Sequence, residues 1–236
     1  MPTPPHTPTE TDPNAPPINP LPPVIVALAL AIFGVEAVFQ LGAAGLIGGP
    51  EAIGWRTAAI EKYGFYEPLF DWMLQNRILR WDYAYRFVTY PFVHGSFTHM
   101  IFALVFILAL GKMVGEVFSA WAMLVIFLGA SILGALAYGL AWDTRIMLFG
   151  AYPAAYGFIG AFSYLLWTRL AGTGENRLQA FSLIGFLMAL QLLWGLIFGS
   201  NGDWVADLAG FVAGFGLSFV VSPGGWRSLL AQMRQR

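Results

Sequence analysis

The sequence predicts an all-α integral membrane protein, a bundle of six transmembrane helices with an interfacial first loop. Only 11% of its residues are charged, whereas a soluble domain has about 25%. Six apolar runs are each long enough to cross a hydrocarbon core of about 30 Å, at residues 24–48, 96–115, 119–141, 153–170, 178–199 and 204–222. A net charge of −1 argues against a nucleic-acid partner, and the absence of cysteine excludes disulfides and thiolate metal sites.

Both ends of the chain differ from this apolar core. Residues 1–23 hold ten of the fifteen prolines and no Lys or Arg, which excludes a signal peptide and predicts a disordered, proline-rich tail. Residues 24–222 form the predicted membrane domain, and 223–236 a short basic tail with Arg227, Arg234 and Arg236. Because an even number of spans puts both termini on one side, these arginines favour cytoplasmic termini in a plasma or inner membrane.

The first loop, residues 49–91, is too aromatic for a flexible linker. Its rings are interleaved with charges, a mixture that favours a segment lying among lipid headgroups. The aromatic residues are Trp55, Tyr63, Phe65, Tyr66, Phe70, Trp72, Trp81, Tyr83, Tyr85 and Phe87.

The fourth apolar run organises the rest of the chain. Pro153 suits the first turn of a helix, and Tyr152 and Tyr156 lie one turn apart. Lipid does not select small side chains, whereas close helix contact does. We therefore expect a helix in the middle of the bundle, with the functional site at its start; its small residues are Ala154, Ala155, Gly157, Gly160 and Ala161.

Two acidic residues fall inside apolar runs, where an ionisable group is a functional candidate. Glu36 has Gln40 one turn on; a structural hydrogen bond is the favoured interpretation and a proton relay the alternative. Asp207 shares a helical face with Gly210 and Gly214, which is typical of a helix contact. Asp207 therefore faces another helix, caps its own helix start, or does both.

Two histidines stand where the first loop meets the second run. His94 and His99 are five residues apart, which on one helix separates them by about 140° and excludes a same-face metal pair. No bound metal or organic cofactor is predicted.

These features in this order resemble the rhomboid intramembrane serine proteases, over roughly residues 80–222. In that family the first loop carries Trp-Arg, where this chain has Tyr85-Arg86. The second span carries His-x4-His-x3-Asn, whose second His and Asn hold the oxyanion. Here His94 and His99 are present, and Ala103 stands in place of the amide.

The two residues of the family's catalytic dyad are also replaced. The nucleophile motif Gly-x-Ser-Gly corresponds to Gly150-Ala-Tyr152-Pro153, followed by the family tyrosine at Tyr156. The sixth-span motif His-x2-Gly-x3-Gly places Asp207 where the family has its histidine. Helix-packing glycines are kept at Gly157, Gly160, Gly210 and Gly214.

The resemblance thus implies a pseudoprotease. A tyrosine phenol has a pKa of about 10, no imidazole is left to activate it, and losing one oxyanion donor alone costs about 100- to 1000-fold. Inactive members of this superfamily engage transmembrane segments of client proteins. We therefore expect lipids and client helices as partners, and a hydrogen-bonded cluster of His99, Tyr152 and Asp207 in place of the active site.

Two alternatives remain open. An active protease with unconventional residues would need another serine, and Ser163 lies about 16 Å deeper than Tyr152; Ser96 and Ser200 are at loop ends. A proton-coupled transporter would use Glu36, His99 and Asp207, but no inverted repeat supports it.

Overall fold

The computed structural model describes residues 20–141, 145–198 and 202–224. Most of the predicted tails, 1–23 and 223–236, lies outside these ranges, as does Ser200. Across the described ranges the chain is helical, and the one β-type pairing is an isolated antiparallel bridge between Phe65 and Leu148.

Six long helices occupy the six predicted apolar runs. They are α1 (Pro23–Ala43), α6 (Phe97–Gly115), α7 (Ala120–Ala141), α8 (Tyr152–Thr173), α9 (Ser182–Phe198) and α10 (Trp204–Val221). A 3₁₀ turn, Arg177–Phe181, leads into α9. Local signals set several helix ends: the Ser96 hydroxyl accepts from the backbone N–H of His99 at the start of α6, and Gly174 ends α8 with a φ of 75°.

Five of these helices are long and apolar enough to cross a membrane, namely α1, α6, α7, α10 and α9 with its leading turn. The sequence predicted six, and α8 is not among the five within the described ranges. Its 22 residues suffice to span, but its tyrosines, glycines and Arg169 lower its mean hydropathy. The crossing by α8 therefore stays a prediction.

The first loop folds into short helices rather than a plain interfacial segment. These are 3₁₀ turns at Pro50–Gly54 and Tyr90–Phe92, with α2 (Trp55–Tyr63), α3 (Glu67–Asn76), α4 (Trp81–Ala84) and α5 (Arg86–Thr89). Phe65, Phe70 and Tyr90 are buried in a small core with Tyr138 of α7. Trp72 and Trp81 are exposed, as expected of rings that meet lipid headgroups.

As predicted, α8 lies in the middle of the bundle. Every residue from Pro153 to Ala161 is buried. A Cβ on Gly210 would lie 2.2 Å from the Pro153 carbonyl oxygen, and one on Gly214 only 1.9 Å from that of Gly157. A Cβ on Gly160 would lie 2.2 Å from the Phe211 carbonyl oxygen. Glycine therefore lets α8 and α10 approach at backbone distance, and this contact positions the start of each helix against the other.

Candidate functional site

The segment before α8 is pinned by the first loop and by His94. The backbone N–H of Gly150 donates to the Tyr90 carbonyl at 3.0 Å, and that of Ala151 donates to Nε2 of His94 at 3.2 Å. Because its Nε2 accepts, His94 is the neutral tautomer with its proton on Nδ1. Burial, helped by the neighbouring His99, lowers the pKa of His94 to about 3. His94 is therefore a structural acceptor and not a base.

Tyr152 faces His99 at the start of α8. The two rings stack with centroids 5.0 Å apart and an interplanar angle of 16°. Gly150, at a φ of 96°, lies beneath His99 so closely that a Cβ there would be 2.7 Å from Cε1. Only a glycine fits this turn, and the turn delivers the phenol to the imidazole face.

The histidine rings are closer together than a helical spacing predicts. His94 precedes α6, which begins at Phe97, so it is not on the same helix as His99. The ring centroids are 5.4 Å apart in an edge arrangement. The described residues contain no group of three or more His, Cys, Asp or Glu side chains that would hold a metal ion.

Asp207 is bound by a residue that the sequence analysis did not single out. Nε2 of Gln191, on α9, donates to the Asp207 carboxylate at 2.8 Å, and the Tyr156 hydroxyl donates to Oε1 of Gln191 at 3.2 Å. Asp207 is 4% exposed. One amide therefore links α8, α9 and α10 inside the bundle.

His99, Tyr152 and Asp207 were expected to form hydrogen bonds with one another, but their contacts are different. Tyr152 contacts His99 by ring stacking, and Asp207 is bound by Gln191. His99 accepts the backbone N–H of Gly95 through Nδ1 at 3.3 Å. The carboxylate pairs with an amide because α9 places one next to it, a neighbour that spacing along α8 and α10 cannot reveal.

Glu36 has the structural hydrogen bond that was predicted, together with a salt bridge that was not. Gln40 donates to its carboxylate at 2.8 Å, and Arg56 of α2 donates through two nitrogens at 2.7 Å each. Arg56 also donates to the backbone carbonyl of His94 at 2.7 Å. Glu36 thus fixes the first loop to α1 and, through Arg56, steadies the segment that carries His94.

Tyr85 and Arg86 hold the turn between α2 and α3. The Tyr85 hydroxyl donates to the Lys62 carbonyl at 2.7 Å, and Arg86 donates to the Gly64 carbonyl at 2.8 Å. Phe65 lies in that turn, and its backbone pairs with Leu148. The pair therefore connects the first loop to the segment before α8 and acts on the site through the backbone.

A cavity of about 300 Å³ lies beside these groups. Ser96, His99, Tyr138, Phe149 and Asp203 contribute to its wall.

Ala103, where the family amide would stand, is fully buried in the core and offers no side-chain donor. Within the described part of the chain, no serine hydroxyl is hydrogen-bonded to a histidine ring.

Comparison with known families identifies the architecture. Residues 82–224, more than half of the chain, match the rhomboid domain. The chain belongs to the rhomboid family. No curated protein matches it in a sequence comparison. The rhomboid match covers α5 to α10 together with the segment before α8, so it includes the two histidines, Tyr152, Tyr156, Gln191 and Asp207. The contacts of Glu36, Arg56 and the turn at Gly64 lie before it.

The candidate site depends on two residues that the sequence did not single out, Gln191 and Arg56. Gln191 could have been identified from the sequence, because it is the one polar amide within the apolar residues of α9. Arg56 could not, because nothing in the sequence of the aromatic first loop indicates which of its basic side chains binds Glu36. Both were missed because they act across elements that are distant in the sequence.

Proposed function

We propose that this rhomboid-family protein is proteolytically inactive and binds transmembrane segments of client proteins. The observation that carries the proposal is the pairing at the two dyad positions. Tyr152 stacks on His99, and Asp207 is occupied by Gln191. Tyr152 meets the face of the His99 ring and not a ring nitrogen, and Asp207 pairs with an amide, so neither dyad position joins a nucleophile to a base through a hydrogen bond.

The serines of the described chain support inactivity. Ser163 is fully buried in the bundle, with no hydrogen-bond partner for its hydroxyl. Ser96 accepts from the backbone N–H of His99 and caps α6. A serine nucleophile needs its hydroxyl hydrogen-bonded to a base and an oxyanion donor nearby. Ser96 and Ser163 lack that arrangement.

The bundle retains what helix binding requires. Tyr156, Gln191 and Asp207 place polar groups between α8, α9 and α10, inside the helical bundle. Polar side chains in a membrane favour helices that bring matching polar groups. The partners are therefore lipids and client transmembrane helices. The termini lie in the cytoplasm, and the protein resides in a plasma or inner membrane.

The first test is an activity assay on the purified full-length chain in proteoliposomes. A single-pass model substrate and a fluorophosphonate probe are added, with an active rhomboid protease run in parallel. We expect neither cleavage nor labelling while the active enzyme gives both. Cleavage by the reconstituted chain would overturn the claim of inactivity.

The second test is photo-crosslinking in living membranes. A benzoylphenylalanine replaces Tyr152 at the site or Leu30, which is 63% exposed on the outer face of α1. We expect crosslinks to membrane proteins from position 152 and few or none from position 30. The same proteins captured from both positions, or none from either, would contradict client binding.

A further inference from the structure

Two carboxylates lie within helices of the bundle, and they are neutralised unequally. Glu36, 1% exposed, receives two hydrogen bonds from the Arg56 guanidinium. Asp207, 4% exposed, receives one from the Gln191 amide. Among the residues that the structure describes, no Lys or Arg forms an ion pair with Asp207. Asp207 therefore has an amide partner where Glu36 has a cation.

The helix that supplies this amide is weakly held. Only 12% of the α9 span is buried, against 39% of α10 and 44% of α7. Ile184, near the start of α9, is buried. Beyond Gln191, Leu193 is 54% and Leu196 84% exposed. Among the described side chains in the second half of α9, the Gln191 bridge is thus the main contact with α8 and α10.

A cation would bind Asp207 more strongly than the amide does. Hydrogen bonds between helices in a membrane are individually weak. A Lys or Arg would add a positive charge to its hydrogen bond with the Asp207 carboxylate, which the neutral Gln191 amide does not. A buried carboxylate without a donor is costly, so Gln191 leaves only when a better donor arrives. This exchange favours a helix with a basic residue and disfavours a wholly apolar one.

We infer that Asp207 selects clients, by binding a Lys or Arg of a client transmembrane helix that displaces Gln191. The inference rests on the proposed client binding and gives it a chemical preference. Asp207 lies three residues after Trp204, the first residue of α10, so it is about 4.5 Å from that helix end. The basic residue of the client lies about one turn from its own end, on the same side of the membrane.

The test uses the full-length chain in lipid nanodiscs and three designed Leu/Ala helices of about 22 residues, long enough to span. One carries a Lys one turn from the end that matches the start of α10. A second carries the Lys at the opposite end, which controls for side chains that reach the lipid surface. The third has no Lys. Binding is measured by energy transfer between labels on the helix and on the chain.

We expect the first helix to bind at least about fivefold more tightly than the other two, because a cation replaces a neutral amide as the partner of the carboxylate. Asp207→Asn should remove that preference. Asp203→Asn should keep it, because Asp203 is an exposed acid one turn earlier. Gln191→Leu should raise affinity for the first helix, since the competing donor is gone.

Each contrary result has a separate meaning. Equal binding of the three helices, or a preference unchanged in Asp207→Asn, would overturn the selection by charge and leave client binding standing. A loss of Lys-helix binding in Gln191→Leu would also overturn it, and this variant keeps the carboxylate. No binding of any helix, with no crosslink from position 152, would defeat the proposed function itself.

Discussion

His94 shows at the residue scale how a catalytic-looking side chain is held in a structural state. Its Nε2 accepts the Ala151 N–H, and its backbone carbonyl accepts Arg56. Protonation would put a second donor against the Ala151 N–H, in a place with little water. The hydrogen bond and the low pKa thus have the same consequence: folding requires the neutral imidazole.

This state predicts a pH dependence. In the unfolded chain His94 takes up a proton near its ordinary pKa of 6.5, whereas in the folded chain it does so only near about 3. Between these values the unfolded state binds more protons, so the free energy of unfolding falls as pH decreases. The contribution of neutral His94 to that free energy is fully present above the ordinary pKa. Between about pH 5 and 7, above most carboxylate titration, the melting temperature of His94→Gln in detergent should change less with pH than that of the natural chain.

The matched control is His6→Gln. His6 lies in the proline-rich segment, outside the described residues. This variant should keep the pH dependence of the natural chain. If His94→Gln and the natural chain lose stability in parallel over this window, His94 is not the group that responds to acid.

Residue identities were predicted from the sequence more fully than their partners were. The pattern singled out Tyr152, Asp207 and Glu36, because charge and aromatic rings are conspicuous in apolar runs. It paired Asp207 with Tyr152, whereas Gln191 binds the carboxylate. Partners across helices depend on packing rotation and depth, and neither is encoded in local spacing.

At the scale of elements, apolar run lengths predicted the long helices to within a few residues, apart from the end of α1. That run was placed at 24–48, whereas α1 ends at Ala43. Gly45 and Gly48 follow with φ values of 73° and 74°, so the chain turns although it stays apolar. Hydropathy detects burial in lipid, and a backbone turn of apolar glycines leaves no trace in it.

The α8–α10 contact supplies a prediction about stability. A Cβ on Gly214 would lie 1.9 Å from the Gly157 carbonyl oxygen, a backbone atom that cannot move aside. Gly214→Ala should therefore separate the helices and cost about 1–3 kcal/mol of unfolding free energy. Denaturant unfolding in mixed micelles measures the change.

Gly216→Ala is the matched control on the same helix. A Cβ there meets nothing within 4 Å, and alanine favours the helix over glycine by about 1 kcal/mol. This variant should be neutral or more stable than the natural chain. Similar losses in both variants would mean that glycine content, rather than close approach, explains the stability of α10.

For the whole molecule, the site lies at the end of the bundle opposite to the start of α1, which packs against the last turns of α6. The first loop pairs with the segment before α8, and the cavity joins Ser96 to Asp203. These segments belong to the connections α1–α6, α7–α8 and α9–α10, so the three connections meet at one end of the bundle. Six passages therefore stay a prediction, of which hydropathy supports five within the described residues.

This arrangement predicts which side of the membrane each segment faces. The chain has no cysteine, so single cysteines can be placed without background. Leu79→Cys and Arg145→Cys, both at exposed positions near the site end, should react with a membrane-impermeant maleimide added outside. Glu175→Cys, exposed after the end of α8, should react only once the membrane is opened.

Arg145 and Glu175 flank α8, so their comparison decides whether the central helix crosses. If the two positions are labelled from opposite sides, α8 crosses the membrane. A helix surrounded by protein rather than lipid can then cross with a lower mean hydropathy than a lipid-facing helix needs. Labelling of both positions from the same side would make α8 re-entrant. In that case the polar bridge of Tyr156, Gln191 and Asp207 would no longer lie in a bundle crossed six times, and both termini could not share the cytoplasm.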